Sequence, residues 1–401
     1  MKNILYGGMA ALLILAASCG KEKVTPQKGN GGGNTPPDTV TTTVSAYLTK
    51  ALQTNEFVTD DLLTSYGGYR ANTTTESNTS YEWYNASQIY ADAAMVGIGK
   101  TSYATSMNKT FKWLDGMWDK GNVIGGYFAF SKLDGSGSSG TKYVDDNSLT
   151  GVVFLEAYDV STDATTKAAY LTAAENTANW IINSGLWDNT FGGGFWWNTD
   201  KPNKPTQTNA IALQLFLRLY KITGKALYHD WAVTVNTWLN TKMLGSNGLY
   251  IWQIEAGGKV DTQNFTYDNA IVVEDDILYA DIMGDASYLA KAQGLANTMI
   301  SVLWNSAHNV FIFNTTDIRM NGCYSGWASE AFIRLYEADK NSSWLTYAKG
   351  NIDAMNVVLR DAASFGYYQY AGLDGAGRYT NLEGVDQAWM QRIQAMLSKY
   401  K

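Results

Sequence analysis

The sequence predicts an all-α protein, a closed (α/α)6 toroid or barrel of about six helical hairpins, on three observations. Apolar positions recur at helical spacing from about Val44 onward, while strand-like alternation is confined to short pieces such as Gly248 to Ile254 and Val310 to Phe313. A hairpin-sized unit then repeats along the chain, and a helical hairpin cannot bury its apolar face alone, so the units must stack. The first and last helices lack the polar faces that cap an open solenoid, which favours closure into a ring.

The elements follow in order. Lys2, the apolar run Met9 to Ala17 and Ser18-Cys19-Gly20 make residues 1–19 a signal peptide of lipoprotein type, with Cys19 as the lipidated residue. That predicts a cell-envelope protein, anchored in a bacterial outer membrane by lipid only, with ordinary secretion as the alternative. Residues 20–43 hold three of the five prolines and almost no large apolar side chains, so they read as a flexible linker. Residues 44–401 are expected to form the (α/α)6 domain. Within it, four segments begin at Phe154, Leu215, Asp276 and Ala331, each a helix ending in an aromatic, a polar turn and a second helix. Their equivalent tyrosines, Tyr158, Tyr220, Tyr279 and Tyr336, are 62, 59 and 57 residues apart, which is one hairpin plus a loop. A weaker copy starts at Ala86, and helices near 44–63 and 384–400 supply the pieces of a sixth hairpin.

Bulk properties narrow the partners. A net charge of -7 without clustered Lys and Arg excludes nucleic acid. With 14 Trp and 26 Tyr the chain is rich in rings that cover the apolar faces of sugars and hydrogen-bond their hydroxyls. Cys19 and Cys323 are the two cysteines, so there is no disulfide framework. His229 and His308, the two histidines, lack the spacing of a metal site or a Ser-His triad, and no phosphate or dinucleotide loop is present. No metal or cofactor is expected, and the protein is expected to be a monomer.

The chemistry concentrates in Tyr143-Val-Asp145-Asp146-Asn147-Ser148, between a Gly/Ser-rich loop and an apolar helix. Two acids ahead of a helix ordinarily cap it. Here, however, three loops rich in Gly, Trp and amides, beginning at Gly192, Gly248 and Arg319, also lead into first helices of hairpins, and ring closure puts them on one rim with the aspartates. Two carboxyls sharing a cleft titrate apart, one ionised to attack an anomeric carbon and one protonated to donate to the leaving oxygen. Trp196 and Trp197 are neighbours in an extended segment, so one is expected to stack on sugar and the other to pack into the wall. Asp268 is a candidate for contacting a sugar hydroxyl, Glu274-Asp275-Asp276 a lesser acidic cluster, and Tyr84, Trp252 and Trp327 weaker subsite candidates.

The Tyr-x-Asp-Asp-Asn stretch, followed by Gly-Gly-x-x-Trp-Trp-Asn-Thr-Asp-Lys and a Thr-Asn-Ala helix start, resembles glycoside hydrolase family 76, from about Tyr81 to the C-terminus. The resemblance implies an (α/α)6 barrel and a retaining endo-α-1,6-mannanase acting on α-mannan, with Asp145 as nucleophile and Asp146 as acid/base. It implies a substrate-binding set of Trp196, Trp197, Asn198, Asn209, Tyr267, Asp268 and Asn269. Tyr267-Asp268-Asn269-Ala270 stands where the family has Tyr-Asn-Gln-Gly, and Ser148-Leu149 where it has an aromatic. The alternatives are a non-catalytic glycan-binding lipoprotein on the same scaffold and a polysaccharide lyase or unsaturated-uronyl hydrolase, the lyase disfavoured by the acidic balance.

Overall fold

The computed structural model describes residues 45–74 and 78–400; the signal peptide, Cys19 and the linker lie outside the described residues. Twelve α-helices are found among the described residues: α1 Ala46–Phe57, α2 Glu82–Gly97, α3 Tyr103–Leu114, α4 Val144–Val160, α5 Ala164–Asn183, α6 Thr206–Thr223, α7 Ala226–Trp238, α8 Thr266–Met283, α9 Ser287–Leu303, α10 Gly322–Asp339, α11 Ser342–Val358 and α12 Gly384–Leu397. The even-numbered helices pack each on the next, α2 on α4 round to α10 on α12, and α12 returns onto α2. They form the inner barrel of an (α/α)6 toroid. The odd-numbered helices form the outer layer, and the sixth hairpin joins the two ends of the domain, α12 with α1.

Burial separates the two rings. An outer helix such as α3 is amphipathic and buries Met107, Thr110, Trp113 and Leu114. An inner helix is covered on every side, so α4 buries a continuous run from Asn147 to Leu155 and reads as apolar all round. Close approach within the barrel depends on small residues: a Cβ built on Gly151 would meet Leu215 Cδ1 of α6 at 2.8 Å.

One device recurs at the start of the inner helices. The fourth residue of α2, α4, α6 and α8 is an asparagine, and that of α12 is Gln387. Each side-chain carbonyl accepts the backbone N–H of an aromatic residue in the preceding loop: Tyr69 to Asn85 at 2.8 Å, and Tyr127, Phe195 and Tyr250 to Asn147, Asn209 and Asn269 at 2.7 Å. Tyr367 donates likewise to Gln387 at 2.6 Å. The amide nitrogens donate back to loop carbonyls, as Asn209 does to Pro205 at 2.9 Å. In α10 the position is Ser325, and Asn351 of α11 substitutes by accepting the Phe311 N–H at 2.9 Å. Buried backbone groups that would otherwise be orphaned are thereby paired, and each loop is pinned to the helix it feeds.

Short antiparallel ribbons complete the loops. Asn203–Pro205 pairs with Gln253–Glu255, which pairs with Val260–Asp261. The expected strand pieces shorten to Gln253–Glu255 and Val310–Phe311. Away from the N-terminal rim the barrel is filled by a charge network. Arg392 donates to both carboxylate oxygens of buried Glu330 and stacks on Tyr90, and Glu156 pairs with Arg218 at 3.1 Å and Arg334 at 3.4 Å.

Candidate active site

Because the inner helices start in register, the second residue of each can be compared. Trp83, Asp145, Gln207 and Tyr267 hold that position in α2, α4, α6 and α8, and all four line a cavity of about 520 Å³ at the N-terminal rim. Asp146 and Tyr324, third residues of α4 and α10, line it too, with Leu149 and Ile211 one turn further in. The cavity therefore sits over the N-terminal ends of the inner helices, where the dipoles favour negative charge.

The Trp loop is shaped by glycine. Gly192, Gly193 and Gly194 have φ of 80°, 120° and 91°, and a Cβ on Gly194 would lie 2.5 Å from the Trp238 ring. Beyond it, Trp196 packs into the wall: its indole donates to Asp188 at 2.6 Å, and the Lys204 ammonium lies 4.7 Å from its ring while bonding Asp188 at 2.7 Å. Trp197 points the other way and lines the cavity. Its carbonyl accepts the Val144 N–H at 2.8 Å, and its indole Nε1 donates to Asp145 Oδ2, also at 2.8 Å. Tryptophan loop and aspartate pair are one unit.

Asp145 and Asp146 open to the cavity on one side and are enclosed by protein on the others. Burial raises the Asp145 carboxyl to about 6, against the pull of the Trp197 indole and the Asp146 backbone N–H, which bonds Asp145 Oδ1 at 3.1 Å. Asp145 thus engages its own helix terminus while facing the cavity. Asp146 is pushed well above the carboxylate range by burial, then by the Asp145 and Glu82 charges. The two carboxyls are thus held unequally, Asp145 with two donors on its oxygens and Asp146 shifted further up by burial and its acidic neighbours.

Other expected site residues lie elsewhere. Asn198 is buried and accepts the Asp200 N–H at 2.8 Å. Asn209 and Asn269 are buried loop pins whose amides are spent on backbone, and so stand behind the cavity wall rather than in it. Asp268 is completely buried and also lies outside the lining; burial pushes its carboxyl well up, against the Gln207 backbone N–H. Tyr267 lines the cavity, its ring centroid 4.9 Å from that of Tyr324. Trp252 and Trp327 line it as well, whereas Tyr84 lies in an adjoining depression and donates to Glu383 at 3.3 Å. Glu274 is eight residues into α8, about 12 Å along its axis, where Gln214 donates to it at 3.3 Å. Asp276 pairs with Lys291 at 2.8 Å. Gln207, Tyr324 and Glu82 were not singled out in the sequence. Aligning the hairpins on the fourth-position amide would have exposed Gln207 as the equivalent of Asp145.

Comparison with known proteins identifies relatives of this fold. Residues 50–311 match Glycosyl hydrolase family 76. A family 76 α-mannanase from Bacteroides thetaiotaomicron superposes with a TM-score of 0.77 at 22% identity, over 88% of this chain and 97% of that one. An α-1,6-mannanase of Salegentibacter sp. HEL1_6, inactivated by replacing two consecutive aspartates with asparagine and bound to α-1,6-mannotriose, gives 0.69 at 18%, over 88% and 100%. A cellobiose 2-epimerase from Bacillus thermoamylovorans gives 0.72 at 13%, over 88% and 99%, so the scaffold is shared by more than one sugar chemistry. No curated protein sequence matches the chain. With nearly two thirds of its length covered by the family's pattern, the chain belongs to glycoside hydrolase family 76.

Proposed function

We propose that the protein is a retaining, endo-acting α-mannanase that cleaves α-1,6-mannosidic bonds. The observation that carries this reading is the asymmetric pair: Asp145, with two donors on its carboxylate, beside Asp146, which burial and then the neighbouring acids push well above the carboxylate range, both at the floor of an aromatic cavity. Asp145 attacks the anomeric carbon while Asp146 protonates the departing oxygen; Asp146 then takes a proton from the water that releases the sugar. Rings from Trp83 on α2 and, across the ring of helices, from Trp252 and Tyr267 at α8 cover sugar faces on both sides of the pair. That span supports binding within a chain rather than at its end. The family relative bound to α-1,6-mannotriose supports the linkage, and its loss of activity on changing two consecutive aspartates supports the pair. For the N-terminal leader the reading is lipidation at Cys19 and a cell-envelope location, supported by the apolar run before it.

Incubation with linear α-1,6-mannan, followed by chromatography, tests the activity. Internal cleavage gives a ladder of oligosaccharides that is absent with Asp145→Asn. Binding of mannan without any products would instead favour a glycan-binding protein on this scaffold.

A further inference from the structure

We propose that Glu82 is a positioning residue for Asp146: a third carboxyl, buried behind the pair across the seam between α2 and α4, whose ionisation holds the proton on Asp146. This inference deepens the glycosidase reading and rests on it.

The placement follows from the symmetry of the ring. Asp386, third residue of α12, accepts the Cys323 N–H at 2.7 Å, and Cys323 is the second residue of α10. Asp268, third residue of α8, lies against the backbone N–H of Gln207, the second residue of α6. A carboxyl in the third position thus reaches back over the N-terminus of the preceding inner helix. Asp146 is the third residue of α4, so it faces the N-terminus of α2, which begins with Glu82.

The contacts of Glu82 agree. Its side chain is completely buried. Thr150 Oγ1 donates to its Oε1, and Thr150 is four residues beyond Asp146, hence on the same face of α4 one turn further in. Its Oε2 has no partner. It does not cap its own helix. The equivalent first residues, Val144, Thr206, Thr266, Gly322 and Gly384, are all uncharged, so the fold does not require an acid there. The two threonines use that position to donate to the Ile251 and Ile312 carbonyls.

A buried carboxyl with one unpartnered oxygen and no cap to make is costly, yet the fold keeps it beside the aspartate pair. The groups facing it are Asp145 and Asp146 from α4 and the Tyr127 hydroxyl from the loop between α3 and α4; Glu383, just ahead of α12, and Asp386 within it act on Tyr84 instead. Burial raises Glu82 to about 8, against the Thr150 hydroxyl and together with the charge on Asp145. As pH rises, a negative charge arriving on Glu82 makes the loss of the neighbouring proton harder, which extends the range in which Asp146 remains an acid.

The test is a carbon-13 NMR titration of full-length protein labelled at aspartate side-chain carboxyls, with the Asp146 resonance assigned by its loss in Asp146→Asn. In Glu82→Gln the Asp146 midpoint falls by about one pH unit or more. In Thr150→Val, which leaves the carboxyl but removes the bond that favours its charged form, the midpoint falls by a smaller amount, and this variant decides the matter if Glu82→Gln does not fold. The alkaline limb of kcat/KM on α-1,6-mannan moves in the same direction. An Asp146 midpoint that stays in place in both variants, even with lowered thermal stability, overturns the proposal and leaves Glu82 a packing residue. If the wild type cleaves no mannan, the functional reading fails, while the titration still decides the role of Glu82.

Discussion

The indole Nε1 of Trp197 donates to Asp145 Oδ2 at 2.8 Å, so one residue both lines the cavity and stabilises the charge on the proposed nucleophile. Trp197→Phe keeps the ring and removes the donor. A hydrogen bond to a charged group is worth about 1.5–3 kcal/mol, so kcat/KM is expected to fall about 10- to 100-fold. The acidic limb of the rate profile should also move to higher pH, because Asp145 loses a bond that favours its ionised form. Steady-state kinetics across the pH range measure both effects. A fall in activity with an unshifted acidic limb would mean that Trp197 acts by sugar contact alone.

Asn209 and Asn269 serve as loop pins, and their replacement should therefore be read in stability rather than in substrate affinity. Asn209→Ala leaves the Phe195 N–H without its partner in a buried site, at a cost of about 1–3 kcal/mol. Urea unfolding should show this loss while KM at low temperature stays near the wild-type value. A large rise in KM with unchanged unfolding would return Asn209 to the substrate-binding set.

Stability should fall as pH rises from mildly acidic to mildly alkaline. Glu82 is raised to about 8, Asp92 to about 7 and Asp276 to about 6, in each case first by burial. Between their unfolded values, near 4, and these folded values the native state binds more protons than the unfolded chain. The contribution of these groups is thus fully present below about pH 4 and is lost progressively until pH passes about 8. Glu156, held far below the carboxylate range against its burial by Arg392, Arg218 and Arg334, contributes in the opposite sense, but its contribution is lost only on acidification below its unfolded value. Melting temperature should consequently be higher at pH 5 than at pH 8. Asp268→Asn, which replaces a buried carboxyl held protonated by its site, should reduce that difference.

The charge network beneath the cavity makes a separate prediction. Arg392→Met leaves Glu330 completely buried without its bidentate partner, which should cost about 3–5 kcal/mol. Replacing both residues by apolar ones should recover much of that loss. Unfolding of the single and double variants measures the difference.

The helical hairpins were legible because their period is written in recurring aromatics. Closure was legible too, since the pieces near 44–63 and 384–400 had no other hairpin to join, and α1 indeed packs on α12. The neighbours of the aspartate pair were harder to read. Asp146 and Asp268 occupy the same register in two inner helices, α4 and α8, yet one opens to the cavity and the other is sealed in the wall. The asparagines looked like sugar ligands because an amide suits a hydroxyl and a backbone N–H equally well, and only the three-dimensional placement of Phe195 and Tyr250 decides between them. Glu82 gave no local signal, because its partners Thr150 and Asp146 come from another helix.

Proton NMR of freshly released sugars during hydrolysis of linear α-1,6-mannan tests the paired roles of Asp145 and Asp146 most directly. The α-anomer is expected to appear first and to equilibrate to the β-anomer only later, with no signal from Asp145→Asn. Initial appearance of the β-anomer, or undiminished cleavage by that variant, would contradict those roles.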